Sequence, residues 1–387
     1  MPRRIDQHTP FRGSARIRLF LFPALLFFCA LSPAAAEKTY QPTQAQRRLA
    51  EQQRLQNQRI AEIRRQNAER NAAKAAAQAA EKQVKAAAAS APKLRYTWIN
   101  SQRYVLIRDI ARFYKLSMIR TKTGAVLRGY RKIDLFYNKR AASIDGIAIC
   151  FTFAPLLRGA NGYLHEKDLL LVLDPVLRGN GLPKYPVRTI MIDPGHGGTD
   201  KGAPGRSGLL EKNLNLSMAL KLRTALRKLG FQVIMTRAAD LTLSLQARAD
   251  LCEKFRPDLF ISIHCNAAAQ KTINGIETFA MTPAGCPSSS DSKPSNARGS
   301  GNAFDKNNYR LAYEIQKCLL RNTKAEDRGV KHARFFVLRN ASCPAVLIET
   351  GFISNQREGA LLNRADYQTK VVNAIVRGIL NYRALCR

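Results

Sequence analysis

The sequence predicts an α/β fold: a three-layer domain with a mostly parallel sheet flanked by helices over residues 185–387, preceded by a small α+β accessory domain over 94–184. Three observations carry that prediction. Short apolar runs at 190–192, 259–263 and 345–348 have the length and composition of buried strands. Helical periodicity separates such runs, most clearly over 213–229, where Leu214, Met218, Leu222, Ala225 and Leu229 share one face and Gly230 stops the helix. Each of the three runs also leads into a side chain able to do chemistry: His196, His264 and Glu349. Alternating strands and helices build a parallel sheet, and such sheets bind ligands at the carboxyl ends of their strands.

Taken in order, the chain opens with Arg3, Arg4, Arg12, Arg16 and Arg18, then an apolar run over 19–31, then Ser32-Pro33-Ala34-Ala35-Ala36. Basic, apolar and small-residue segments in that succession make 1–36 a secretory signal peptide cut after Ala36. The apolar run is too short for a spanning helix, which needs about 20 residues. Phe27 and Phe28 stand where a lipoprotein site at Cys29 calls for small residues, and Arg3-Arg4 lacks the flanks of a twin-arginine signal. No later stretch is apolar enough to span a bilayer. The mature chain is therefore expected to be exported, periplasmic or wall-associated, with no integral membrane segment. Its 63 Lys and Arg against 28 Asp and Glu leave a net charge of +35. In that compartment a basic protein meets carboxylated wall glycans or other anionic envelope polymers rather than nucleic acid.

Residues 37–93 read as an Ala/Gln/Lys/Arg-rich spacer, helical or disordered: 44–90 contains no Gly or Pro, and its few large apolar residues cannot sustain a coiled-coil seam. Ala91-Pro92 marks the shift into the accessory region. There 104–113 has helical spacing, 132–137 and 147–151 read as strands, and 162–165 and 168–173 close the region. His165 beside Glu166 reads as a surface pair. Beyond 185, strands are expected at 231–235, 275–281 and 335–338, and helices at 245–255, 309–320 and 367–382. The stretch 284–308, rich in Ser, Gly, Asn, Pro and Lys without apolar period, reads as a flexible loop. After Cys29 leaves with the signal, seven cysteines remain without a short-range pattern, an odd number that leaves at least one thiol free or paired between molecules. Cys265, next to His264, reads as a small buried hydrophobe, because adjacent strand residues point to opposite faces.

The strand ends carry the chemistry. Asp193-Pro194-Gly195-His196-Gly197-Gly198 breaks a buried strand and presents an imidazole in a glycine-flanked turn. A catalytic zinc takes three protein ligands from His nitrogens and a carboxylate, leaving one position for water. His196 and His264 supply two. Glu211, opening the 213–229 helix, is the third candidate, although a carboxylate there also suits the helix dipole. Glu349, ending a buried strand, is the candidate acid/base; the alternatives for it are a fourth ligand or an orienting partner.

These motifs, with Asp200, Glu211-Lys212-Asn213, Arg248, Ser262-Ile263-His264-Cys265-Asn266-Ala267 and Ile348-Glu349-Thr350-Gly351-Phe352-Ile353-Ser354-Asn355, resemble in order those of the zinc-dependent N-acetylmuramoyl-L-alanine amidases of the amidase 3 family. The resemblance spans the whole third region. It implies that His196, Glu211 and His264 hold zinc and that Glu349 is the catalytic glutamate. The implied reaction is hydrolysis of the amide between the lactyl group of N-acetylmuramic acid and L-alanine in peptidoglycan. Asp193 and Asn266 are expected to orient ligands or substrate. Some members of the family plug the zinc site with a long helix until a partner removes it; 284–308 has no such pattern, so no helical plug is expected there, while the N-terminal regions could still regulate access and a protein activator stays open. The accessory region resembles the small N-terminal domain of copper amine oxidases. Competing readings are a zinc peptidase cutting within the stem peptide, and a wall-binding protein that has lost the chemistry.

Overall fold

The structure, a computed structural model, describes residues 94–179, 182 and 186–386, with isolated residues and short stretches between 43 and 79. The expected signal peptide lies outside the described residues, as does most of the spacer. The chain divides into two compact units, Met1–Arg70 and Asn71–Arg387. In the first, the described residues 44, 51, 58, 65, 68 and 69 are helical; in the second, 71–76 are helical and exposed.

The accessory region begins with the hairpin of β1 (Tyr96–Ile99) and β2 (Gln102–Leu106), turned by left-handed Asn100 and Ser101, and continues into α1 (Ile107–Phe113). The helical spacing read over 104–113 therefore holds only from Ile107. Tyr104 and Val105 are both buried on a strand paired on each side, so that strand shows no alternation of apolar and polar residues. An antiparallel meander follows: β3 (Ser117–Arg120), β4 (Gly124–Arg128), β5 (Lys132–Phe136), β6 (Ala141–Ile144) and β7 (Ile147–Cys150). Two further strands, β8 (Leu156–Arg158) and β9 (Asn161–His165), complete a four-stranded sheet in the order β1-β2-β9-β8. Helical turns at Glu166–Asp168, Leu169–Leu173 and Asp174–Leu177 close the region.

His165 is not a surface residue. It is buried, stacked on Phe153 with ring centroids 3.9 Å apart, and its Nδ1 accepts the Lys167 amide at 3.1 Å, capping the helix that follows. Burial, aided by the Lys167 charge, pushes its pKa down from 6.5 to about 4. The folded chain thus keeps it neutral where the unfolded chain protonates it. Its stabilising effect is present above pH 6.5 and is lost as the pH falls toward 4. Thermal unfolding across that window is expected to fall more steeply for the native chain than for His165→Gln; equal slopes would sink the assignment.

The third region adds β10 (Thr189–Pro194), α2 (Glu211–Lys228), β11 (Gln232–Met235), α3 (Leu245–Phe255), β12 (Leu259–Asn266), β13 (Ile276–Met281), α4 (Asp305–Thr323), β14 (Asp327–Ala333), α5 (Phe336–Arg339), β15 (Ala345–Phe352), α6 (Gln356–Leu362) and α7 (Ala365–Leu385). Its strands run in the order β11-β10-β12-β15-β13-β14, all neighbours parallel except β13 against β15. The sheet does not stop there: Val330 of β14 pairs with Ile149 of β7, so the meander extends it to eleven strands ending at β3.

Strand alternation sorts the side chains into two layers of core. Ile190, Ile192, Ile261, Ile263, Val346 and Ile348 pack with the apolar faces of α2, α4 and α7. The intervening Met191, Phe260, Ala345 and Leu347 pack with Cys252 of α3 and Val337 and Leu338 of α5. Buried on both faces, the central strands read as continuous apolar runs. The expected strand at 335–338 is the short helix α5 instead. Val337 and Leu338 bury against the layer beneath, and β13 is already paired on both sides by β14 and β15. Of the stretch expected as a flexible loop, 284–299 contains no helix, but Ser300–Phe304 is a tight helical turn leading into α4. Asn302 fastens that turn, accepting from the Gly299 amide and donating to the Thr282 carbonyl. The loop itself is held across the two regions: Arg140 donates to the carbonyls of Ser288 and Asp291, and Arg334 to those of Cys286 and Ser295.

Candidate metal and catalytic site

β10 ends at Pro194, and Gly195 returns its amide to the Ile263 carbonyl of β12 at 3.0 Å. A Cβ on Gly195 would stand 2.1 Å from the His264 ring, so only glycine lets the two strand ends come this close. His196 takes a left-handed conformation, φ 60°, which turns its ring back over the sheet toward His264. That backbone is fixed by two buried arginines. Arg248 of α3 donates to the carbonyls of Pro194 and His196, both at 2.8 Å, while Arg237 donates to those of Pro194 and Gly195 at 3.0 and 2.9 Å. Asp193 anchors the arrangement beneath, accepting from Arg248 at 2.6 Å, Thr236 at 2.7 Å and Ser262 at 2.9 Å.

Glu211 opens α2 directly under the two imidazoles. Its Oε2 lies 3.2 Å from His196 Nε2 and its Oε1 lies 3.0 Å from His264 Nδ1. One ligand atom from each residue fits within 4.8 Å of the others, so the three could hold one metal ion. Two imidazoles and one carboxylate are the donor set that suits a zinc ion with an open position. Glu211 is also fixed by the Ala203 and Cys265 amides and the Asn215 side chain. Burial would raise its pKa, but the hydrogen bonds of His196, His264 and Ala203 outweigh that and hold it well below the ordinary carboxylate range. His196 Nδ1 contacts Asp200 at 2.8 Å, which orients the ring so that Nε2 faces the centre. The Glu211 carboxylate, against the effect of burial, raises the His196 pKa.

Glu349 stands beside His264. In β15 it is the register partner of His264 on one side and of Glu277 of β13 on the other. Its Oε2 has no hydrogen-bond partner. Burial first, then the charges of Glu211 and Glu277, raise its pKa well above the usual value, with Lys331 opposing. His196, His264 and Glu349 line one cleft of about 490 Å³ with Asp193, Asp200 and Arg248. An apolar rim from Leu243, Leu245, Phe335, Phe336, Val337 and Leu347 borders it. No residue of 284–308 lines this cleft.

All four site residues read from the sequence thus meet in one place. Asp193 meets the site through Arg248 rather than by touching a histidine, and Asn266 donates to Glu277 at 2.7 Å. Sequence reasoning missed Arg237 and Glu277. Glu277 is buried and paired with Arg328 at 3.2 Å and with Lys331. Its signal was a lone acid in a mostly apolar strand; that of Arg237 was a basic residue just past the end of another.

The family model for N-acetylmuramoyl-L-alanine amidase matches residues 190–381, which include every residue of this cleft. N-acetylmuramoyl-L-alanine amidase AmiA of Escherichia coli (strain K12) is 32% identical over 266 residues, 62% of this chain and 88% of that one. The chain belongs to the N-acetylmuramoyl-L-alanine amidase family. N-acetylmuramoyl-L-alanine amidase LytC of Bacillus subtilis (strain 168) is 38% identical over 292 residues, and the match covers 73% of this chain and 54% of LytC, about half its length. The solved catalytic domain of the amidase CwlV, from Bacillus (Paenibacillus) polymyxa var. colistinus, is 32% identical over 51% of this chain and 99% of its own, with a TM-score of 0.44.

Proposed function

We propose that this member of the amidase family hydrolyses the bond between N-acetylmuramoyl residues and L-alanine of peptidoglycan as a zinc-dependent enzyme, with His196, Glu211 and His264 holding the ion and Glu349 as acid and base. The observation that carries this reading is the two-imidazole, one-carboxylate cluster whose histidines share one cleft with Glu349 and its unpartnered Oε2. Bound zinc supplies Lewis acidity: it lowers the pKa of water toward neutrality and polarises a carbonyl. The chain's own residues do the rest. Glu349, desolvated and with Oε2 free, takes a proton from the attacking water and gives it to the departing alanine nitrogen. Asp200 and Glu211 keep the imidazoles in place, while Arg248 and Arg237 keep the His196 turn from relaxing.

Digestion of purified peptidoglycan with mass analysis of the products tests the reaction. Intact stem peptides beginning with free L-alanine are the expected products; cuts confined to the interior of the stem would replace this reading with that of a peptidase. Removal of the ion by a chelator is expected to abolish activity, and restoration of zinc to return it. His264→Ala is expected to lose bound zinc along with turnover. Metal content that stays stoichiometric in that variant would remove His264 from the ligand set.

The reading extends to the rest of the chain. Residues 1–36 serve as an export signal to the periplasm or wall, 37–93 as a spacer, and 94–184 as an accessory domain to 185–387. The charge of +35 supports contact with anionic wall polymers, and among the described residues no helix is long and apolar enough to cross a membrane.

A further inference from the structure

The sulfurs of Cys252 and Cys343 lie 4.0 Å apart, both buried, in the layer of core between α3 and the sheet. They are 91 residues apart in sequence. Cys252 is on α3, one turn beyond Arg248 and on the same buried face. Cys343 lies two residues before β15, the strand that presents Glu349. Ser342 bridges the same two elements, its hydroxyl donating to the Cys252 carbonyl at 3.0 Å. We propose that Cys252 and Cys343 form a disulfide that fastens α3, and with it the Arg248 clamp on the His196 turn, to the lead-in of the Glu349 strand.

The step is thiol–disulfide exchange with a low-molecular-weight disulfide such as glutathione disulfide. One thiolate attacks the donor's S–S bond and releases one donor thiol; the second protein thiolate attacks the mixed disulfide and releases the other. The donor's S–S bond breaks, one S–S bond forms in the protein, and the two protein thiol protons end on the two donor thiols. A disulfide brings its sulfurs to about 2.05 Å, so the two must close from 4.0 Å. Because both sulfurs are buried, exchange takes place while the chain is still folding or transiently open.

The test uses the full chain, refolded in a glutathione redox buffer or under reductant, then alkylated in denaturant and mapped by mass spectrometry. In the oxidised sample a peptide pair joining Cys252 to Cys343 is expected, reversed by reductant. A disulfide closing a loop of this length is expected to raise the melting temperature by roughly 5–10 °C, and Cys343→Ser to abolish the rise. Full alkylation of both residues after oxidative refolding, or links that join other cysteines instead, would overturn the proposal. Should Cys343→Ser fold poorly, the peptide map and the melting of the unsubstituted chain, oxidised against reduced, still decide it.

Discussion

Glu349→Gln is expected to lower turnover on purified peptidoglycan by roughly 10²–10⁴-fold, the usual worth of a positioned acid and base, without loss of bound zinc. The substitution keeps the shape of the side chain and removes its ability to accept a proton. The strand pairings on either side, to β12 and β13, are backbone bonds and stay in place. Because the native carboxyl pKa is raised and the base form is the active one, turnover of the native chain should fall as the pH drops through that ionisation. Zinc content and turnover measured on the same preparation settle the role. If zinc falls in proportion to activity, Glu349 is a ligand and the proton must go elsewhere.

Arg248→Met should be the most damaging change to the scaffold. Arg248 and Asp193 are 3% and 1% exposed and 2.6 Å apart, so removing the guanidinium leaves a buried carboxylate without its hydrogen-bonded counter-charge. Breaking such a pair costs about 3–5 kcal/mol, which corresponds to a fall in melting temperature of roughly 6–20 °C. The His196 carbonyl loses its donor as well, and the Pro194 carbonyl keeps only Arg237, so activity at temperatures below unfolding should also fall. Combining Arg248→Met with Asp193→Asn removes both charges and should cost less than the sum of the two single changes. Strict additivity in that cycle would show that the pair is not coupled.

The site was legible in the sequence because its residues sit where local rules point. A strand end followed by Pro-Gly, a helix start and two apolar runs each deliver one side chain, and those rules act over a few residues. What stayed hidden depends on pairing across the chain. Tyr104 and Val105 follow a helical spacing yet lie in a strand, because β1 and β9 flank it and both of its faces are covered. The apolar residues at 335–338 suit a strand or a helix equally, and the full sheet decides. His165 looks like half of a surface pair until Phe153 and the Lys167 amide close on it. Glu277 and Arg237 carry no motif; their meaning comes from Glu349 and from the carbonyls of the His196 turn.

The junction between β14 and β7 has a consequence for solubility. A parallel strand at the rim of a sheet exposes a row of unmet amides and carbonyls, which invite a second chain to dock by strand addition. Here the rim that β14 would otherwise leave open is occupied by β7, and Gly329 lets the strands approach: a Cβ there would lie 2.8 Å from the Ala148 carbonyl. Residues 186–386 prepared alone should therefore self-associate, visibly so in sedimentation, while the longer chain stays dispersed. A fragment that stayed monomeric would show that the rim of β14 needs no cover from the meander.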